Sequence, residues 1–214
     1  MDNFIEEVDE ELKRERYLEL WRKYGKFAVG AVLLIVIAVA GGVGWRQYQV
    51  NLRIESGLQY VNAIDLAAAG KSAGALAAFH ALGKDGAAGY RDLARFQEAA
   101  VLARQGNEAA AAQIYDSVAQ DEGADAVFRN LALILYALGV ADRAEPKALA
   151  DRLKPLTEDS SPWRFSALEI TALLHRRRGD VSAAKSVYRM LADDDRAPSR
   201  LRARAAEFLA VIGK

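Results

Sequence analysis

From Phe27 to Trp45 the chain reads FAVGAVLLIVIAVAGGVGW, nineteen residues without a charge. Backbone groups taken out of water must pair with one another, and a helix pairs them within a single segment. As a helix the run is roughly 28 Å long at 1.5 Å per residue. That is about the thickness of a bilayer's hydrocarbon core. Trp21, Tyr24 and Phe27 stand at one end, Trp45 and Tyr48 at the other. Such rings belong at a membrane–water boundary, and a helix in a soluble core has no use for belts at both ends. The reading is a transmembrane helix over 27–45, with Trp21, Tyr24, Trp45 and Tyr48 as interface anchors. Ala38-Val39-Ala40 also fits a signal-peptide cut after Ala40. The 26 residues before the run weigh against it: they hold eight acidic residues, whereas a signal peptide starts short and basic.

Orientation follows from lysine and arginine near each end. Residues 7–26 hold six bases, Lys13, Arg14, Arg16, Arg22, Lys23 and Lys26; residues 46–65 hold only Arg46 and Arg53. This bias expects a single-pass protein of a cell inner membrane, its N-terminus cytoplasmic and residues 46–214 in the periplasm. Inside the run, Ala38/Gly42 and Ala40/Gly44 are small-xxx-small pairs that let a second helix approach. Small residues are also common in spans generally.

Residues 1–26 form a tail split by charge. Residues 2–11 are acidic without a base, and all six bases fall in 13–26. Ile5, Val8, Leu12, Tyr17, Leu20, Trp21 and Tyr24 recur at helical spacing, with Asp2 or Asn3 available as N-cap. The basic half suits an anionic leaflet. The acidic half either docks on a basic partner or serves only as a solvated stub that fixes topology.

Beyond the span the sequence repeats. Gly70, Gly106, Gly139 and Gly179 each close a helical pattern, at intervals of 36, 33 and 40 residues. Seven positions before them stand Ala63, Ala99, Ala132 and Ala172; five after stand Ala75, Ala111, Ala144 and Ala184. Nine after stand Phe79, Tyr115, Ala148 and Tyr188. A glycine takes the left-handed C-cap of a first helix at low cost. Paired alanines let two helices close, and the aromatic fills the gap to the next pair. The pattern resembles the tetratricopeptide repeat, a helical hairpin that stacks into a superhelix. The third unit departs, with Ala148 in the aromatic slot and extra residues in EPKALADRLKPLTEDSSPW. Irregular stacking is expected there, with Pro155 ending one helix and Ser161-Pro162 capping the next. Pro198 opens a C-terminal capping helix over 198–212. Four prolines and few β-branched runs outside 29–39 make the chain all-α.

Several chemistries find little support. The chain has no cysteine, and its 29 basic residues balance 29 acidic ones, so neither a thiolate site nor a pull toward nucleic acid is expected. His80 and His175 fall in different repeats, without metal-ligand spacing. In HRRRGD (175–180) the glycine is the inter-helix turn, Asp180 caps the next helix, and the arginines complement a helix C-terminus. No metal, cofactor or small-molecule substrate is expected. The remaining surface is a groove lined by first helices, ten and three positions before each turn glycine. There stand Tyr60, Phe96, Arg129 and Glu169, then Ala67, Ala103, Tyr136 and Arg176. Aromatic and arginine residues suit a protein-binding surface; packing between repeats is the other role for Tyr60 and Phe96.

The tail FIEEVDEELKRERYLELWRKYG, one span and tetratricopeptide-like pairs, in that order, resemble the YfgM-type proteins of Gram-negative bacteria, ancillary subunits of the Sec translocon. The resemblance implies a periplasm-facing scaffold beside the SecYEG channel and a membrane-anchored chaperone-like isomerase, passing exported proteins to periplasmic chaperones. Another envelope scaffold, coordinating division or cell-wall synthesis, would use the same repeats. An enzyme would need polar groups converging in one pocket, a pattern the sequence does not suggest.

Overall fold

A computed structural model of the chain describes residues 2–212, with the side chains of 2–17, 19, 20, 28, 32 and 212 outside the description. The roles expected of the tail's charged halves therefore fall largely outside the described residues. Among the described residues every regular element is a helix, and none is a strand. Packing divides the chain into two compact units, Met1–Leu52 and Arg53–Lys214.

The first unit lies in helix α1, Asp2–Ala68. Leu33, Leu34, Ile35, Val36 and Ile37 are each 57–69 % exposed, so none of the described residues covers this part of the apolar run. One helix is thus long and apolar enough to cross a membrane. The helix does not break at Gly41, Gly42 and Gly44, because no competing turn chemistry accompanies them. Helix α1 runs on past Leu52 to Ala68 and so also supplies the first repeat helix.

Among the described residues, the second unit holds the rest of α1 and eight further α-helices: α2 (Ser72–Asp85), α3 (Ala88–Arg104), α4 (Glu108–Ala119), α5 (Ala126–Val140), α6 (Pro146–Leu153), α7 (Arg164–Arg177), α8 (Val181–Asp193) and α9 (Ser199–Ile212). Three apolar cores run along it. Ala63, Phe79, Leu82, Ala94 and Val101 join α1, α2 and α3. Ile134, Leu149, Leu153, Ile170 and Leu174 join α5, α6 and α7. Ala172, Tyr188, Leu191, Leu201 and Ala205 join α7, α8 and α9. Cores shared between sequence neighbours are the mark of a solenoid.

The alanine pattern is structural. Ala63, Ala99, Ala132 and Ala172 are all 0 % exposed. Ala75, Ala111 and Ala184 are buried, while Ala144 is half-buried. Phe79 and Tyr188 fill their slots completely, and Ala148 is exposed.

Three of the four turn glycines behave as expected. Gly70, Gly106 and Gly179 have φ of 72°, 80° and 81°. Each closes the same motif: Lys71, Asn107 and Asp180 donate their N–H to Leu66, Leu102 and His175, all at 2.9 Å. This six-to-one bond satisfies a carbonyl the helix end leaves open. Asn107 and Asp180 then cap the following helix, accepting from Ala110 at 3.3 Å and Ala183 at 3.0 Å.

Gly139 is the correction. It lies inside α5, which runs one residue further to Val140, and it is not among the positive-φ glycines. A Cβ there would meet the Ala112 Cβ at 3.9 Å, an ordinary contact, so neither a turn nor a close helix approach requires glycine at this position. The end of α5 is closed from elsewhere: the Arg177 guanidinium donates to the carbonyls of Ala141 at 2.6 Å and Ala144 at 2.9 Å.

The third pair is irregular as expected. Glu145 caps α6 by accepting from Lys147 N–H at 2.9 Å, and Pro146 opens it. After Leu153 the chain tightens into a 3-10 turn, Lys154–Thr157, because Pro155 has no N–H to extend an α-helical ladder. At α7 the expectation shifts by a residue or two. Ser161 Oγ accepts from Trp163 N–H at 3.2 Å, while the helix itself begins at Arg164. Likewise α9 begins at Ser199, with the Pro198 carbonyl accepting from Leu201 at 2.9 Å and Arg202 at 3.0 Å.

Candidate partner-binding surface

The six candidate groove residues come from α1, α3, α5 and α7, and each has a partner inside the fold. The Tyr60 ring lies 6.0 Å from both Phe79 and Tyr90. Phe96 lies 5.7 Å from Tyr115 and 5.9 Å from Phe128. Aromatic pairs at such distances contribute about 0.5–1.5 kcal/mol beyond burial. In both cases the ring bridges a second helix and the start of the next first helix. Burial here pushes the Tyr115 hydroxyl above its ordinary pKa, against the pull of Arg104.

The polar candidates are also engaged. Arg129 donates to the Ala124 carbonyl at 2.6 Å and to Glu122 at 3.4 Å, closing the loop before α5. Tyr136 carries the Arg152 guanidinium 4.8 Å above its ring, and Arg152 also pairs with Asp116 at 2.6 Å. Glu169 takes a two-pronged bond from Arg204 at 2.8 and 3.0 Å. Arg176 sits 5.0 Å over Phe208. All six are half-buried except Arg176, which is exposed, as is Ala103.

A feature the repeat arithmetic did not mark is an open cleft of about 330 Å³ between α2, α3 and α4. His80 Nδ1 lies 3.0 Å from Glu98 Oε1 at its rim. Arg95 donates to Asp121 at 2.7 Å and to Ser117 Oγ at 3.0 Å. The Arg95 bond holds the Asp121 carboxyl below the usual range. One turn before Arg95 in α3, Asp92 is 2 % exposed; burial raises its pKa, while Arg91 and Arg95 oppose the rise. The one available signal was charge at helical spacing, Arg91, Asp92, Arg95 and Glu98, which reads equally as a solvated helix face.

In the first unit, Trp21, Tyr24, Trp45 and Tyr48 are 65, 52, 66 and 57 % exposed. Lys23 Nζ lies 5.4 Å above the Tyr24 ring. Trp45 and Tyr48 pair at 5.9 Å. Among the described residues, these amphipathic side chains are left uncovered, and so is the apolar helix they flank.

A family model, the tetratricopeptide repeat-like domain, matches residues 19–202. The chain belongs to the tetratricopeptide repeat-like family. Its matched residues include the apolar stretch as well as the repeats. No curated protein and no solved structure matches the chain. A tetratricopeptide-like domain is ordinarily a protein-interaction scaffold without chemistry of its own. Its helices present side-chain surface and its turns are closed by internal bonds.

Proposed function

We propose that this protein is a single-span scaffold of a cell inner membrane, with residues 1–26 in the cytoplasm and the repeats of residues 46–214 in the periplasm. The observation that carries the reading is the uncovered apolar helix with six bases before it and two after, followed directly by interaction repeats. Its resemblance to YfgM-type proteins supports a place beside the Sec translocon. There the repeats would link channel subunits and a periplasmic chaperone to newly exported chains. The contact surface proposed is the outward edge of Tyr60, Phe96, Arg129, Tyr136, Glu169 and Arg176, where half-buried rings and guanidinium groups are already held in place. Held groups lose little freedom on binding, which favours affinity.

Photo-crosslinking residues at Ala67 and Ala103 in native membranes test this directly. Capture of translocon subunits or a periplasmic chaperone is the expected result. Capture of division or cell-wall proteins alone would replace the translocon reading with the other scaffold, and capture of neither class would overturn both.

A further inference from the structure

The groove candidates all stand on α1, α3, α5 and α7, whereas α2 and α4 share with α3 the cleft of about 330 Å³. Its shape depends on one bare position. A Cβ on Gly83 would come 3.0 Å from Arg95 Cγ, so glycine there gives the arginine room to lie against α2. Arg95 is then fixed from the other side, donating to Ser117 Oγ at 3.0 Å and to Asp121 Oδ2 at 2.7 Å. Ser117 Oγ donates its own proton to the Ile114 carbonyl at 2.7 Å, which leaves its oxygen free to accept from Arg95. Glu98 Oε1 lies 3.0 Å from His80 Nδ1, while Glu98 Oε2 has no hydrogen-bond partner among the described residues.

The charges of this cleft do not balance. Arg95 is answered by Asp121, and His80 by Glu98. Asp116 on α4 is taken up by Arg152 at 2.6 Å and Gln120 at 2.8 Å, and Asp85 is not part of the lining. Lys84 is part of it, exposed in the last turn of α2. It has no ion-pair or hydrogen-bond partner among the described residues. We propose that the cleft docks an acidic side chain carried on an exposed segment of a partner protein. Lys84 pairs with the incoming carboxylate beside the fixed Arg95 guanidinium, a charge-assisted contact, and Ile114 covers its methylene groups. Glu98 Oε2 accepts a backbone N–H of the same segment. That open acceptor decides between sources of negative charge. A peptide brings N–H donors with its carboxylate, whereas a phosphate dianion brings acceptors alone and meets Glu98 with like charge. Arg95 and Glu98 are already held by the fold, so ordering them costs little on binding. A protein occupant also suits a tetratricopeptide repeat-like domain.

Fluorescence anisotropy with the purified full chain in mild detergent tests the proposal without reference to membrane orientation or to the groove. The probe is a fluorescein-labelled peptide alternating glutamate with alanine; its control carries glutamine in place of glutamate. The glutamate peptide should bind, and the control should bind several-fold more weakly. Lys84→Glu should weaken binding of the glutamate peptide several-fold. Arg189→Glu makes the same charge change at an exposed position of α8 and should leave binding unchanged. Lys84→Arg keeps the charge and should bind as the parent does. Both glutamate variants alter exposed side chains and should keep the parent's urea midpoint. Inorganic phosphate at matched ionic strength should not displace the peptide. Equal losses in Lys84→Glu and Arg189→Glu would overturn the proposal, because binding would then follow net charge and not the cleft. So would equal binding of the two peptides, no binding of either, or displacement by phosphate, which would make the cleft a general anion site.

Discussion

At the scale of residues, the small positions carry the fold. Ala99 is 0 % exposed in the middle of α3, and Ala99→Leu must displace a neighbouring helix. It should cost about 1–3 kcal/mol, read as a lower urea midpoint of the repeats; an unchanged midpoint would mean the position is not packed. This much was legible because alanine at a fixed offset from a turn has one economical explanation. The partners of the groove residues were not legible. Arg152 over Tyr136 and Arg204 on Glu169 are pairings between helices, and no local pattern encodes them. Carboxylates give the residue scale its pH dependence. Arg196 beside Asp194, with help from the Arg196 N–H and Arg164, holds that carboxyl far below its ordinary range. Asp121 and Asp180 are lowered as well, by Arg95 and by the Ala183 N–H. A lowered carboxyl contributes stability that is complete above the unfolded pKa and lost as pH falls through the carboxylate range. Asp92 has the opposite sign: burial raises its pKa, so its ionisation costs stability as pH rises through its value. Glu145 and Asp151 are lowered too, so the shifted carboxyls other than Asp92 favour the fold when ionised, and the urea midpoint should fall on acidification below about pH 4. Asp194→Asn should flatten that fall, and Asp92→Asn should steepen it.

At the scale of elements, the glycine turns divide into two kinds that sequence spacing made look alike. Gly106 needs its positive φ of 80°, and Gly106→Ala should cost about 1–2 kcal/mol. Gly139 sits in helical backbone with ordinary contact distance to spare, so Gly139→Ala should raise stability by up to about 1 kcal/mol. Thermal unfolding of the two variants must shift in opposite directions; a shared sign would contradict the assignment. Spacing located the end of α5 to within a residue but not the way it ends, because that depends on an arginine 36 positions away. Removing that arginine leaves the Ala141 and Ala144 carbonyls without their donor. Arg177→Met should therefore destabilise by about 1–3 kcal/mol, and more than Arg178→Met, whose partner Asp180 is close in sequence. Equal effects of the two would show that the α5 end needs no donor. The irregular third pair was legible in kind, from its extra residues and Pro155, while its 3-10 turn was not.

At the scale of the whole molecule, the tail, the span and the first repeat helix share one element, α1. Sequence patterning separated them because each has its own periodicity: charge blocks, then an uncharged run, then the alanine offset. A helix needs only the absence of a breaker to continue, and GGVG is not one. On the proposed anchoring, the apolar run decides which proteins the repeats of this tetratricopeptide repeat-like chain can meet. The most direct test of the account is protease protection in spheroplasts expressing the full chain with an N-terminal tag. The account predicts that added protease removes the repeats from intact spheroplasts while a tagged fragment holding the tail and span survives. Repeats that survive until the inner membrane is lysed would contradict it.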